Sequence, residues 1–249
     1  MAFISEFNYS PNFNPIKRGL TQIKFIIFHY TGMKTESAAI KKLTGSNSDV
    51  SSHYLVKNNG QIVVLVPDRY IAWHAGVSLW KNFNSLNKNS IGIEISNPGH
   101  DFAYKKFSKP QIISIIKLSK FLIKKYNIKP KNILGHSDLA PDRKKDPGEK
   151  FPWRDLSRHK IGLWYNLNQK RLMKKKFLKT SNLEKKLFLK NIFKIGYSIK
   201  VSNNINLNEV QYIKVVIKAF QRRFRQDQID GKIDQECLII SKNLIKKFL

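Results

Sequence analysis

Short apolar runs in the first half of the chain predict buried strands. Residues 23–28 are too continuously apolar for a surface helix, and their Ile and Phe content is typical of a strand buried on both faces. Residues 90–95 have a similar pattern and predict a further strand. The runs 53–56 and 61–66 flank Asn59-Gly60, a pair that favours a tight hairpin turn.

Helical patterns alternate with these runs. Residues 35–43 predict a short helix, and a longer amphipathic helix extends from Ser108, with Pro110 near its first turn, to about Asn127. Strands interleaved with helices predict an α/β (α+β) fold, in which a central mixed β-sheet is flanked by helices.

The pattern changes to helices only from Ser181 onward, and Asp234 is suited to cap the last of three. We therefore predict a small C-terminal three-helix bundle at 182–249. A larger domain is expected at 1–165, joined to the bundle by a basic, helical connector at 166–181.

Composition limits the possible domains, cross-links and metal ligands. A chain of 249 residues with 41% hydrophobic content is long enough for two cores. The single Cys237 excludes an internal disulfide and a cysteine-based zinc cluster, so a metal would need His, Asp or Glu ligands. We expect no transmembrane segment, because no run of about 18 apolar residues occurs. We also expect no secretory signal, because the N-terminus lacks a basic start followed by a continuous apolar stretch.

The net charge of +29 favours polyanionic partners. Nucleic acid is one alternative, and it would predict tight, salt-sensitive DNA binding without a metal. The charge is spread along nearly the whole chain, however, and no helix-turn-helix, zinc-finger or aromatic RNA-binding signature accompanies it. We expect no dedicated nucleic-acid binding; a bacterial cell wall is another polyanion that suits this charge.

Candidate chemistry lies where predicted strands end. His29 follows the strand at 23–28, and His136 follows the apolar pair 133–134, a position where catalytic residues often lie. Asp146 belongs to the same polar loop as His136. Together with Glu94, these residues are typical of a zinc hydrolase site.

Several motifs occur jointly and in order, and together they resemble those of the N-acetylmuramoyl-L-alanine amidases of the AmpD-like, type 2 family. The resemblance covers about residues 20–165. It rests on six segments: His29-Tyr30-Thr31-Gly32, Ser52-His53-Tyr54-Leu55-Val56, Ala72-Trp73-His74-Ala75-Gly76, Ile91-Gly92-Ile93-Glu94, the loop from Gly135 to Gly148, and Phe151-Pro152-Trp153.

This resemblance implies roles for the site residues. His29, His136 and Asp146 would bind Zn²⁺ and leave a fourth position for water, as in catalytic zinc sites. Glu94 would be the general base, and Lys144 would supply positive charge to the developing oxyanion. As alternatives, Glu94 could be a buried carboxylate bound to backbone amides and Lys144 a solvated lysine.

The resemblance also implies a substrate cleft bordered by His74, with Tyr30 and Trp73 as candidates to contact a sugar. Packing under Trp73 is an alternative for His74, and a place in the core is an alternative for the two aromatic residues.

A second resemblance concerns the C-terminal segment. Ala219-Phe220-Gln221-Arg222-Arg223-Phe224 and Asp230-Gly231-Lys232-Ile233-Asp234 are similar to segments of the small helical peptidoglycan-binding domain found beside many wall hydrolases. Asp230-Gly231 would form a turn and Asp234 a helix cap, so folding alone could also explain these residues.

The implied activity is zinc-dependent hydrolysis of the amide between the lactyl group of N-acetylmuramic acid and L-alanine of the stem peptide. Intact wall, soluble muropeptides and their 1,6-anhydro form stay open as substrates, as does the oligomeric state. The alternative is a non-catalytic peptidoglycan recognition protein of the same fold, which the joint presence of the five site residues disfavours. The family suggests a periplasmic or cell-envelope location, with the cytoplasm as the alternative.

Overall fold

The computed structural model describes residues 4–198 and 207–248. Its centre is a six-stranded mixed sheet with the order β1-β5-β4-β9-β3-β10, in which only the β4–β5 pair is antiparallel. The pairs β2–β6 and β7–β8 form two small antiparallel ribbons. The strands are β1 (Glu6–Phe7), β2 (Phe13–Asn14), β3 (Phe25–Tyr30), β4 (Tyr54–Val56), β5 (Ile62–Val64), β6 (Ile71–Ala72), β7 (Leu79–Trp80), β8 (Phe83–Asn84), β9 (Ser90–Ile95) and β10 (Ile133–Gly135).

Helices flank this sheet and make up the C-terminal part. They are α1 (Glu36–Thr44), α2 (Lys109–Tyr126), α3 (His136–Leu139), α4 (Trp153–Arg158), α5 (Gln169–Met173), α6 (Asn182–Ile195), α7 (Glu209–Phe224) and α8 (Gln235–Phe248). The predicted fold class is confirmed: a mixed sheet with flanking helices, and three C-terminal helices that pack together. No helix in the described ranges is long and apolar enough to cross a membrane.

The two central strands are buried as their apolar runs predict. In β3, Phe25 through His29 are buried, and β9 lies parallel beside it with His29 opposite Glu94. Since paired residues of adjacent strands point to the same face, this register places the two side chains at one end of the sheet.

Local capping fixes the helix that covers the sheet. Ser108 accepts a hydrogen bond from the backbone of Gln111, whose side chain bonds back to Ser108, and Pro110 lies in the first turn. At the other end Asn127 adopts the left-handed conformation that closes many helices. Helix α2 therefore has the bounds that the sequence predicts.

A buried carboxylate attaches α2 to the sheet. Asp68 accepts hydrogen bonds from the hydroxyls of Tyr54 on β4 and Tyr126 on α2, both at 2.5 Å, and from the Lys125 ammonium at 2.8 Å. Burial alone would raise the pKa of Asp68, but the bonds from these three donors overcome it and hold the pKa below its usual value.

The predicted connector is partly helical. Helix α5 covers Gln169–Met173 and buries Leu172, and a series of turns follows it before Ser181 caps α6. The domain bounds at 1–165, 166–181 and 182–249 stay a prediction, since the C-terminal helices also contact the sheet-containing part, as described below.

Candidate active site

Three buried side chains converge at the carboxyl ends of β3 and β10. The Nδ1 atoms of His29 and His136 lie 3.0 Å apart, and Oδ2 of Asp146 lies 3.0 Å and 3.1 Å from them. A tetrahedral ion with bonds of about 2.0–2.2 Å holds its ligand atoms about 3.3–3.6 Å apart, close to this triangle. The group can therefore hold a metal ion.

His136 does not lie on an open loop. It begins the buried four-residue helix α3 directly after β10, a helix that the sequence does not predict. Its Nε2 lies 3.1 Å from the carbonyl of Ala75, which can only accept a hydrogen bond. In the neutral ring the proton is thus on Nε2, and the lone pair of Nδ1 faces the triangle.

A series of hydrogen bonds also places the proton of neutral His29 on Nε2. The Ser90 hydroxyl donates to the carbonyl of Leu86 (2.7 Å), so it accepts from Nε2 of His74 (3.1 Å). Nδ1 of His74 then accepts from Nε2 of His29 (3.0 Å). The lone pair of His29 Nδ1 is left for a ligand.

Electrostatics favour the forms that bind metal. Burial and the neighbouring His136 lower the pKa of His29 to about 4, and burial lowers that of His74 well below its usual value. Burial alone would raise the pKa of Asp146. The adjacent imidazoles of His136 and His29 outweigh this effect and hold the pKa well below its usual value. The His29 imidazole is therefore shifted toward its neutral, metal-binding form and the Asp146 carboxyl toward its ionised form.

The cleft above this triangle has a volume of about 460 Å³. It is lined by all eight residues that the sequence singles out: His29, Tyr30, Trp73, His74, Glu94, His136, Lys144 and Asp146. Trp73 is 37% exposed at its rim. The fold thus brings the predicted site residues to one place.

A profile of the family Amidase_2, described as N-acetylmuramoyl-L-alanine amidase, matches residues 19–149. AmiD, an N-acetylmuramoyl-L-alanine amidase of Escherichia coli, is 34% identical over 239 residues, which cover 91% of this chain and 84% of AmiD. The chain belongs to this amidase family.

Solved structures agree with this assignment. The amidase superposes on E. coli AmiD with a TM-score of 0.78 at 34% identity, covering 94% of this chain and 93% of AmiD. It superposes on AmpDh3 of Pseudomonas aeruginosa with a TM-score of 0.77 at 30% identity, and 94% of each chain is covered. The similarity therefore includes the C-terminal helices and not only the sheet.

Glu94 lies in the amidase cleft without a structural anchor. Within the described residues, its buried Oε2 has no hydrogen-bond partner, which disfavours the alternative of a carboxylate bound to backbone amides. Burial raises the pKa of Glu94 well above its usual value, the charge of Asp146 adds to this, and Lys144 opposes it. Such a carboxyl holds a proton more readily than an ordinary glutamate does, which suits a group that takes up and releases a proton.

The sequence does not predict a second series of hydrogen-bonded side chains beside the cleft. The Tyr30 hydroxyl lies 2.9 Å from Nδ1 of His100, and Nε2 of His100 lies 3.0 Å from Glu149. No sequence pattern marks His100, because its partners lie 70 and 49 positions away. These two hydrogen bonds hold the Tyr30 ring at the edge of the cleft.

Arg143 also lines the cleft. Its guanidinium donates to the carbonyls of Ala75 and Val77, although part of the residue stays exposed. Since the Ala75 carbonyl also accepts from His136, Arg143 supports the segment that orients this imidazole.

Proposed function

We propose that this amidase hydrolyses the amide between the lactyl group of N-acetylmuramic acid and L-alanine in muropeptides, with one zinc ion held by His29, His136 and Asp146. The observation that carries the proposal is the triangle of three ligand atoms with both imidazole protons directed away from it. Two nitrogens and one carboxylate oxygen form a donor set typical of catalytic zinc.

Held by these three residues, a zinc ion would lower the pKa of a bound water to about 7 and would polarise an amide carbonyl. Glu94 would take the proton of the attacking water and return it to the departing nitrogen, a role supported by its raised pKa and its place opposite His29. Lys144 would stabilise the oxyanion, which its position in the same cleft supports.

Tyr30, Trp73 and His74 are proposed as substrate contacts. Tyr30 and Trp73 have exposed surface at the cleft, which suits contact with a sugar ring. His74 is only 8% exposed and is bonded to His29, so its support of this ligand is at least as important as any contact with substrate.

The preferred substrate is proposed to include the 1,6-anhydro form. This is supported by the structure of the related AmiD with anhydro-N-acetylmuramic acid-L-Ala-D-gamma-Glu-L-Lys and by that of AmpDh3 with an anhydromuramic pentapeptide. We further propose a location in the cell envelope, where the positive charge and the C-terminal helices would favour attachment to the wall.

The peptidoglycan-binding motif itself gives limited support to wall attachment. Gln221 bonds to Asp230 and to the carbonyl of Lys232, and Asp234 accepts from the backbone N–H of Cys237 at the start of α8. These motif residues are thus engaged in folding, and a wall contact would come from other residues of α6–α8.

The test combines metal analysis with product analysis. Purified protein should contain about one zinc per chain, and mass spectrometry of an anhydro-muropeptide digest should show free sugar and free stem peptide. His136→Ala and Asp146→Asn should lose zinc and activity. Muropeptide binding without cleavage by the zinc-loaded protein would instead favour the recognition-protein alternative.

A further inference from the structure

A buried carboxylate links the C-terminal helices to the segment that carries His136. Asp138 lies on α3 and is 2% exposed. Its Oδ2 accepts a hydrogen bond from the backbone N–H of Gly135 (2.9 Å), and its Oδ1 accepts one from the hydroxyl of Tyr197 (2.6 Å), just beyond α6. Asp138 thus joins the turn from β10 into α3 to the C-terminal part.

Arg223 on α7 makes the second link. Its Nη1 lies 2.5 Å from Oδ2 of Asp138, and its Nη2 donates to the carbonyl of Ile133 (3.0 Å) on β10. The guanidinium also lies over the Trp153 ring, 4.1 Å from the centroid. One side chain therefore contacts both the strand that precedes His136 and the helix that contains it.

The linked segment bears two of the three candidate ligands. The backbone N–H of Ser137 donates to the carbonyl of Asp146 (2.8 Å), so a shift of α3 would move both His136 and Asp146. Gly135 leaves little room for such a shift, because a Cβ there would lie 2.6 Å from the ring of Pro147.

We propose that Arg223 and Tyr197, acting through Asp138, are positioning residues for His136 and Asp146, so that the C-terminal helices form part of the hydrolytic site. The inference rests on the proposed function, since it takes these two residues as metal ligands.

The Arg223–Asp138 pair acts on the geometry of α3 more than on the stability of the protein. Two buried charges gain little over apolar residues of the same volume, because desolvation offsets their attraction, but an ion pair with several hydrogen bonds restricts the orientation of both partners. Without the Arg223 guanidinium, Asp138 would be a buried charge with too few donors. Water would then enter or α3 would tilt.

Arg225 provides a matched control two positions along the chain. It is 2% exposed, against 3% for Arg223, and it pairs with Asp230 and Asp234. Among the described residues, its hydrogen bonds and ion pairs all lie within 221–236, away from the metal ligands. Loss of Arg225 should therefore destabilise the C-terminal helices without acting on α3.

The experiment measures Zn²⁺ affinity by competition with a chromophoric chelator in the full chain, with the unfolding temperature and with kcat and KM on an anhydro-muropeptide. Supporting groups of metal ligands contribute about 10–100-fold in affinity, so Arg223→Met should weaken Zn²⁺ binding about tenfold and lower kcat more than it raises KM. Arg223→Lys, which keeps the charge, should recover part of both. Arg225→Met should lower the unfolding temperature and leave Zn²⁺ affinity unchanged.

Unchanged Zn²⁺ affinity in folded Arg223→Met, or an equal loss in Arg225→Met, would overturn the inference. If Arg223→Met does not fold, Tyr197→Phe decides the question: it removes one hydroxyl, and Zn²⁺ affinity equal to that of the wild type would count against the positioning role. A wild-type protein that binds no Zn²⁺ would overturn the proposed function instead.

Discussion

His74 accepts a hydrogen bond from His29 and donates one to Ser90, and this direction holds the free lone pair of His29 toward His136 and Asp146. The direction follows from the Leu86 carbonyl, which can only accept. His74 is also fixed sterically, since a Cβ on Gly92 would lie 2.4 Å from its ring. The tautomer of a proposed metal ligand is thus determined three hydrogen bonds away.

Ser90→Ala should therefore weaken zinc binding while preserving the fold. Without the Ser90 hydroxyl, Nε2 of His74 loses its acceptor, and the other tautomer of His74 would direct a proton at His29; we expect a loss of affinity of about tenfold. Ser119→Ala is the control, because Ser119 is equally buried and its hydroxyl has no partner among the described residues. Chelator competition on both variants checks this. Equal affinities for the two would show that Ser90 does not control the tautomer.

Glu94→Gln and Lys144→Met should separate chemistry from metal binding. Neither residue belongs to the group of candidate metal ligands, so both variants should keep zinc. The loss of the proton acceptor or of the oxyanion charge should lower kcat by about a hundredfold or more in each. Steady-state kinetics and zinc analysis provide the measurement, with exposed Lys106→Met as the control. A Lys144→Met enzyme with normal kcat would require another oxyanion donor.

The sequence could predict those parts of the site that depend on local pattern. A continuous apolar run identifies β3 and therefore the position of His29 at its end, and Ser108 with Pro110 identifies the start of α2. The pairing of His74 with His29 and of Arg223 with Asp138 could not be predicted in this way. Their partners lie 45 and 85 positions apart, and no periodicity reports contacts of that range.

Acid should destabilise the fold in part through Asp68. Its pKa is lowered in the folded protein, so below the unfolded value near 3.9 the unfolded chain binds a proton that the folded chain does not. The contribution of Asp68 to the free energy of unfolding is thus fully present above about pH 5. It is lost as the pH falls from there through the pKa of Asp68 in the folded protein.

Asp68→Asn should lower the free energy of unfolding by about 2–4 kcal/mol at pH 7, since it weakens bonds to three donors, and the difference should shrink toward pH 3. Urea unfolding at several pH values checks this. Asp155→Asn is the control, because its ion pair with Arg158 is exposed and such pairs contribute about 0–1 kcal/mol. A constant difference between wild type and Asp68→Asn across this range would contradict the assigned role.

The C-terminal helices should unfold together with the sheet and not as a separate unit. Gly196 ends α6 with φ of 144°, and a Cβ there would lie 2.3 Å from the ring of Trp80, the last residue of β7. The Gly196 carbonyl also accepts from the backbone N–H of Lys81 (2.9 Å). This contact is too close to accommodate a side chain, so the two parts are packed as one core.

Gly196→Ala should accordingly destabilise the whole protein by about 2–4 kcal/mol, through the strained φ and the clash with Trp80. Gly19→Ala, at an ordinary φ of −67° and with its nearest neighbour atom 3.5 Å from the added Cβ, should have little effect. Thermal unfolding followed by tryptophan fluorescence and by far-ultraviolet circular dichroism should give one coincident transition, displaced in Gly196→Ala. Two transitions, with only the one from the C-terminal helices displaced, would instead support the predicted boundary at 182 and a bundle that folds independently.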